Sequence, residues 1–261
     1  MRRRRPTTNL RRVAHADALA RADEFLARAN EICGDVLTAC WLHGGSTFAD
    51  HSRAPADVDV CVVVRDAVGE HGTRLLMAAH ELDVDGLFVR AVDMTRTDWP
   101  THAYNDRRPL VGWAVYRAHW LAGQFVPLHG REPRGWVVAP EWDDVLADLD
   151  REVEHFERHV YEGDADDPYE ATVAHLNGCR VLRTMATHDP VLSKRSAGHW
   201  GLAQLPDRWR PALEAALRAY DGNADPSDIA LLRDSMPRFV SYVRERVPVI
   251  GPRPPGPPRW T

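Results

Sequence analysis

The residues best suited to chemistry are a Gly-Ser pair and two nearby aspartates. Gly45-Ser46 is followed, after ten residues, by Asp57-Val58-Asp59. Residues two apart in a strand point to the same face, so Asp57 and Asp59 would present two carboxylates side by side. Such a pair repels itself unless a cation lies between, and hard oxygen ligands at this spacing suit Mg²⁺, which also takes phosphate oxygens. The glycine turn allows close backbone approach, and a helix beginning there would offer N–H donors to a phosphate.

A third carboxylate should come from a neighbouring strand. Asp83 and Asp85 are both candidates, and in a strand they share a face. Together with Asp57 and Asp59 they predict a metal site that holds a phosphate and activates an attacking oxygen. An isolated Asp-Val-Asp or Gly-Gly-Ser is common in ordinary turns. The prediction therefore depends on the order of three features: the Gly-Gly-Ser turn, the Asp-Val-Asp pair and the acidic strand that follows. The turn is neither a Walker loop, since no lysine follows the glycines, nor a Rossmann fingerprint.

Hydrophobic periodicity predicts the elements that position these residues. The first half of the chain alternates helical and strand patterns. Helices are predicted over 13–32 and 69–81, and strands over 36–42, 57–64 and 83–92. Five prolines interrupt residues 98–141, where no element is predicted.

After residue 141 only helical patterns occur. Helices are predicted near 142–161, 168–187, 194–204, 208–220 and 226–247. The fold class is therefore α+β, with a mixed-sheet domain followed by an α-helical bundle. The predicted divisions are a disordered basic tail (1–12), the sheet domain (13–138), the helical domain (139–248) and a proline-rich tail (249–261).

Charge is distributed unevenly along the chain. The net charge is −5, and no basic face is evident beyond the N-terminal arginines, which argues against nucleic acid as a partner. Thirteen acidic residues and two arginines lie between Glu141 and Glu170. This stretch is either a solvated helix face or a negative field that attracts a cationic ligand.

Other features indicate the compartment. No apolar run is long enough to span a membrane, and no apolar segment follows Arg2–Arg5, so neither a membrane anchor nor secretion is expected. Cysteines without CxxC spacing, most of them among apolar neighbours, indicate buried thiols in the cytoplasm. We expect a monomer.

Two further residue patterns stand out. The basic residues comprise 32 arginines and one lysine, Lys194, which suggests a position where a compact ammonium is needed. His155 and His159 lie four apart on a predicted helix, but no glutamate follows His155, which argues against a zinc protease site.

These motifs resemble those of known enzymes. Gly-Ser followed by Asp-x-Asp is similar to the signature of the DNA polymerase β-type nucleotidyltransferase superfamily. The second half resembles the aminoglycoside 3''/9-adenylyltransferases, the streptomycin and spectinomycin resistance enzymes. This resemblance covers about residues 35–95 and 165–248, and it rests on Asn177-Gly-Cys-Arg180, on Pro190 through Pro206 including Ser-Lys194-Arg-Ser, on Trp209-Arg-Pro211 and on Ala219-Tyr220.

The resemblance implies a reaction and its participants. The sheet domain and the helical domain would enclose a cleft that binds ATP, Mg²⁺ and a cationic antibiotic, and AMP would pass from ATP to a hydroxyl of the drug with release of pyrophosphate. Gly45 and Ser46 would hold the triphosphate together with Lys194. Asp57 and Asp59 would ligate Mg²⁺.

The resemblance also implies residues for the acceptor. The base is a glutamate in the family; here Asp85 is the best match, doubling as a metal ligand, and Asp83 is the alternate. Asp166 and Glu170 would contact the drug, and Trp113 matches the family's stacking tryptophan. Two alternatives stay open: the same chemistry on another small molecule or a protein, and an ATP-binding relative without catalysis.

Overall fold

The computed structural model describes residues 14–51, 58–65, 69–97, 112–162 and 167–250. The first elements combine helices and strands and form what we call the sheet part. In chain order they are α1 (Ala16–Cys33), β1 (Leu37–His43), β2 (Asp59–Val64), α2 (Gly69–Glu81), β3 (Asp85–Arg90), α3 (Trp113–Ala122) and β4 (Val126–Gly130).

Four strands form a mixed sheet in the order β3-β2-β1-β4. β1 pairs antiparallel with β2 and β4, whereas β2 and β3, which are joined through α2, are parallel. The register places His43 opposite Asp59 and Asp59 opposite Asp85. The strand ends that carry the two aspartates therefore meet at one edge of the sheet.

Both faces of the sheet are buried. Cys40 and Leu42 of β1 pack on the side covered by α1 and α2, and the alternating residues Ala39 and Trp41 pack on the side of α3. Successive side chains of β1 point to opposite faces of the sheet, and both faces are buried. Apolar residues therefore occupy consecutive positions, and the sequence of β1 is a continuous apolar run.

The remaining helices form what we call the helical part. They are α4 (Trp142–Glu162), α5 (Pro168–Thr187), α6 (Lys194–Gln204), α7 (Arg210–Tyr220) and α8 (Pro226–Arg244). Side chains that accept backbone N–H groups begin three of them: Asp167 at α5, Ser193 at α6 and Asp225 at α8. The predicted α+β fold class, a mixed sheet followed by helices, is confirmed.

Several predicted boundaries differ from the structure. Asp83 has a left-handed backbone (φ 51°) in the turn before β3, so it does not share a strand face with Asp85. α3 and β4 lie in the stretch where no element was predicted. Asp57, the predicted tail 1–12 and residues 251–261 of the predicted tail 249–261 lie outside the described residues, and the domain limits stay predictions.

All four cysteines are buried free thiols, as predicted. Burial raises the pKa of Cys40 and Cys179 to about 12, so these thiols are protonated at neutral pH. Within the described residues, no helix is both long and apolar enough to serve as a membrane span.

We expect acid to destabilise the helical part through His175. Its ring is fully buried, stacks on Phe239 and lies 3.0 Å from Oγ of Ser235, and burial lowers its pKa to about 4. In the unfolded chain His175 is protonated below about pH 6.5, whereas in the folded chain it stays neutral until about pH 4. The free energy of unfolding therefore falls by up to about 3 kcal/mol as the pH drops from 6.5 to 4. Urea unfolding at pH 7.5 and pH 5 measures this effect, and about 2 kcal/mol of the loss should be present at pH 5.

The matched variant is His175→Gln, which keeps a polar side chain but cannot take up a proton. It should be less stable than the wild type at pH 7.5 and should lose less stability on acidification. An equal loss in both proteins would assign the acid sensitivity to other groups, such as buried His43 and His119, whose pKa values burial lowers to about 3 and about 4.

Candidate active site

The Gly-Gly-Ser turn directly follows β1. Gly44 has a left-handed backbone (φ 70°), and a single 3₁₀ turn, Gly45–Thr47, replaces the predicted helix start. Ser46 is buried and its hydroxyl donates to the carbonyl of His43. A Cβ atom added to Gly44 would lie 1.8 Å from Oδ2 of Asp59. Glycine is therefore required at this position, because the Asp59 carboxylate packs directly against the turn.

Two of the predicted carboxylates meet beside this turn. Asp59 begins β2, Asp85 begins β3, and the two residues are in register on parallel strands. Neighbouring strands lie about 4.8 Å apart, so both carboxylates reach one site. Asp83, the alternate base, is elsewhere: its side chain is 99% exposed and pairs with Arg21 at 3.0 Å. Of the two candidates for the third carboxylate, Asp85 therefore lies at the site and Asp83 does not.

A cleft of about 710 Å³ lies between the sheet part and the helical part. The turn and the two carboxylates line one wall, and α4, α5 and the start of α6 line the other. Predicted site residues that line it are Gly45, Ser46, Asp59, Asp85 and Lys194. Asp57 and Asp166 lie outside the described residues. The cleft is large enough for a nucleotide and a second small molecule.

The helical wall carries an acidic stripe on α4. Asp148, Glu152 and His155 line the cleft and follow one another at helical spacing. Glu152 accepts a hydrogen bond from Asn177 (2.9 Å). Burial raises the pKa of Glu152, and the charges of Arg180 and Lys194 act in the opposite direction. Sequence reasoning did not select Glu152, although its spacing within the acidic stretch was the available signal.

Asp148 connects the two walls. It is 1% exposed and accepts the backbone N–H groups of Ala114 (2.6 Å) and Val115 (3.0 Å) in the first turn of α3. Burial raises its pKa, and the ion pair with Arg151, together with these backbone hydrogen bonds, partly counters this effect. A carboxylate from α4 thus caps α3 and fixes how that helix faces the cleft.

The orientation of α3 overturns one prediction. Trp113 is 1% exposed, packs edge-on against Trp120 and does not line the cleft, so it cannot stack on a ligand there. Tyr116, three residues later, does line the cleft. Burial, with the negative charges of Asp59 and Asp85, raises the pKa of Tyr116 above its usual range. The aromatic rings of α3 that line the cleft are therefore those of Tyr116 and His119.

The remaining predicted residues lie at the start of α5 and α6. Lys194 is the first residue of α6, and its Nζ lies 5.9 Å from the ring of Tyr169. The carboxylate of Glu170 is 3.9 Å from Nε2 of His159. The ligand atoms of His155, His159 and Glu170 all lie within 4.8 Å of one another. Of these three residues, His155 lines the cleft, whereas His159 and the predicted drug contact Glu170 are not among its lining residues.

Residues 144–246 match the family model of the aminoglycoside adenylyltransferase C-terminal domain. The helical part is therefore similar to the C-terminal domain of the aminoglycoside adenylyltransferases. The resemblance predicted from the sequence is thereby confirmed. The matched segment supplies the cleft wall that carries Glu152, Asn177 and Lys194.

The whole fold is similar to that of a solved enzyme. The crystal structure of spectinomycin adenyltransferase AAD(9) from Enterococcus faecialis, obtained with ATP and spectinomycin, superposes with a TM-score of 0.68 at 14% identity. The match covers 89% of this chain and 98% of that chain, and so includes the sheet part as well as the helical part. A sequence comparison with curated proteins finds no match.

Proposed function

We propose that this protein is a nucleotidyltransferase that transfers AMP from ATP to a hydroxyl of a streptomycin- or spectinomycin-type antibiotic. The observation that carries the proposal is a single cleft in which Asp59 and Asp85 face the wall that bears Lys194. The C-terminal domain match supports an aminoglycoside as the acceptor, and the similar enzyme solved with ATP and spectinomycin supports the same substrate classes.

The carboxylates suit a magnesium ion. Asp59 and Asp85 begin neighbouring strands in register, and Gly44 leaves room for the Asp59 carboxylate against the turn. Carboxylate oxygens are the ligands that Mg²⁺ takes together with phosphate oxygens. We propose that Asp59 and Asp85, with Asp57 from the preceding segment, hold Mg²⁺. When bound, the ion would neutralise negative charge on the phosphates.

The chain's own groups would position ATP and remove a proton. Backbone N–H groups of Gly45 and Ser46 would contact the triphosphate, and the Lys194 ammonium would pair with it from the opposite wall. The acceptor hydroxyl attacks the α-phosphorus in line with the leaving group, and Asp85 accepts the hydroxyl proton. A P–O bond forms to the acceptor as the bond to pyrophosphate breaks.

The acceptor would occupy the end of the cleft formed by α4 and α5. Glu152 and the nearby Glu170 carry negative charge there, with Asp166 predicted beside them, and Tyr116 and Tyr169 offer aromatic faces. Carboxylates and aromatic rings suit an acceptor with ammonium or guanidinium groups. The acidic composition of α4 would also attract such a cation from solution.

We also propose a cytoplasmic, monomeric enzyme that does not act on nucleic acid. Four buried thiols suit a reducing compartment. The net charge of −5 disfavours binding to a phosphate backbone.

The decisive test is release of pyrophosphate from ATP and Mg²⁺ in the presence of streptomycin, spectinomycin or no acceptor. We expect release that depends on one of the drugs, with mass spectrometry detecting a drug–AMP adduct. In the same series, ATP with Mg²⁺ at 100 times its Kd should stabilise the protein by about 2.7 kcal/mol.

The possible failures have different meanings. Stabilisation by ATP without drug-dependent release would redirect the search to another small molecule or a protein as the acceptor. If ATP does not stabilise the protein and no pyrophosphate is released, the nucleotidyltransferase assignment itself is contradicted.

A further inference from the structure

A second contact between the two walls lies beside the cleft, at Asp50. This residue follows the Gly-Gly-Ser turn, and its carboxylate reaches the start of α6. Oδ2 of Asp50 accepts hydrogen bonds from Oγ of Ser193 (2.6 Å) and Oγ of Ser196 (2.7 Å). A single carboxylate of the sheet part thus binds two hydroxyls of the helical part.

These two serines flank Lys194. Ser193 is the N-cap of α6, 3% exposed, and its hydroxyl oxygen also accepts the backbone N–H of Ser196 (2.9 Å). Lys194 is the first residue of the helix and lines the cleft. Asp50 also brings a negative charge to the positive end of the helix dipole, which strengthens the contact.

Arg195 completes the attachment from the other side of Lys194. Its Nε donates to the backbone carbonyl of Asp50 (3.0 Å), and its guanidinium forms two hydrogen bonds with the carboxylate of Asp221 at the end of α7. The residue before Lys194 and the two residues after it are therefore all attached to Asp50, whereas Lys194 itself faces the cleft.

The Asp50 carboxylate is suited to this role. Burial alone would raise its pKa, but the hydrogen bonds from Ser193 and Ser196 outweigh that effect and lower the pKa below its usual range. Asp50 therefore stays ionised near neutral pH, and its bonds to the hydroxyls are charge-assisted.

We infer that Asp50 is a positioning residue that ties the first turn of α6 to the phosphate-binding turn and thereby holds Lys194 in the ATP site. This inference rests on the proposed function. A lysine side chain has many rotamers, and fixing its backbone relative to the turn reduces the ordering that ATP binding must impose. Asp50 would act on the nucleotide through Lys194 and would not touch the acceptor.

The test is a double-mutant cycle measured by calorimetric titration of ATP with Mg²⁺ in the absence of acceptor. Loss of a charge-assisted contact should weaken ATP binding about tenfold in Asp50→Ala. We expect Lys194→Ala to weaken it at least as much, and Asp50→Ala to add little in the Lys194→Ala background. In the drug-dependent assay, the KM for ATP should rise more than the KM for the drug.

Two further variants separate positioning from folding. Ser196→Ala removes one hydroxyl bond to Asp50 and should weaken ATP binding in the same direction, whereas Ser196→Thr keeps a hydroxyl and should restore it. Asp228→Ala breaks an ion pair with Arg218 inside the helical part and removes a capping residue of α8. It should lower the melting temperature without changing the affinity for ATP.

Each outcome decides between the claims. If the wild type does not bind ATP, both the proposed function and this inference are overturned. If Lys194→Ala weakens binding but Asp50→Ala and Ser196→Ala do not, the inference alone is overturned. Additive effects of Asp50→Ala and Lys194→Ala would also overturn it, because they would show that Asp50 acts independently of Lys194. If Asp50→Ala does not fold, the cycle with Ser196→Ala gives the same decision.

Discussion

Asp59→Asn is expected to abolish drug-dependent pyrophosphate release and to leave the fold intact. The substitution keeps the size of the side chain but removes the negative charge that lies in register with Asp85 and against Gly44. A bound metal ion contributes several kcal/mol to stabilising charge in a phosphoryl transition state, so the rate should fall by about 10³-fold or more. Single-turnover kinetics measures the rate, and circular dichroism and thermal unfolding check the fold.

Asp83→Asn is the matched control. It makes the same chemical change two residues before Asp85, but the Asp83 side chain is exposed and paired with Arg21. This variant should release pyrophosphate at close to the wild-type rate. If Asp59→Asn kept more than a tenth of the wild-type rate, the assignment of Asp59 as a metal ligand would be contradicted. Loss of activity in Asp83→Asn would instead reopen the choice of base.

The sheet and the helices were predictable because they depend on patterns within short segments. β1 and β2 are buried on both faces and read as apolar runs. The later helices show helical periodicity, and three of them, α5, α6 and α8, follow the capping residues Asp167, Ser193 and Asp225. The Gly-Ser pair and Asp59 could likewise be recognised, because their types and order point to one chemistry.

Residues whose role depends on distant contacts could not be predicted in this way. Glu152 lies more than ninety residues after Asp59, and an acidic helical stripe reads equally well as a solvated face until the cleft is known. The choice between Trp113 and Tyr116 depends on the rotation of α3, which buried Asp148 sets from another helix.

The prediction that Asp83 lies on the same strand face as Asp85 was wrong for a local reason. Aspartate is among the few residues that adopt a left-handed backbone readily, and here it does so at φ 51°. Acidic and apolar residues alternate through this turn as they do in a strand. The sequence pattern therefore predicts a strand that begins at residue 83, two residues before its actual start at Asp85.

Gly44→Ala should inactivate the enzyme without removing any group that takes part in the reaction. The added Cβ would lie 1.8 Å from Oδ2 of Asp59, at a backbone φ of 70° that alanine adopts only with strain. The Asp59 carboxylate must move away by an ångström or more. A displacement of that size costs about 10²-fold in rate when it misaligns a reacting group. Steady-state kinetics of drug-dependent pyrophosphate release measures the effect.

Gly34→Ala separates the strain from the displacement. Gly34 also has a left-handed backbone (φ 51°), but a Cβ atom there would meet no atom within 4 Å. Both variants should lose about 1–2 kcal/mol of stability, and only Gly44→Ala should lose turnover. If both kept wild-type turnover, the Asp59 carboxylate could leave the turn without consequence, and metal binding would then have to depend on Asp57 and Asp85.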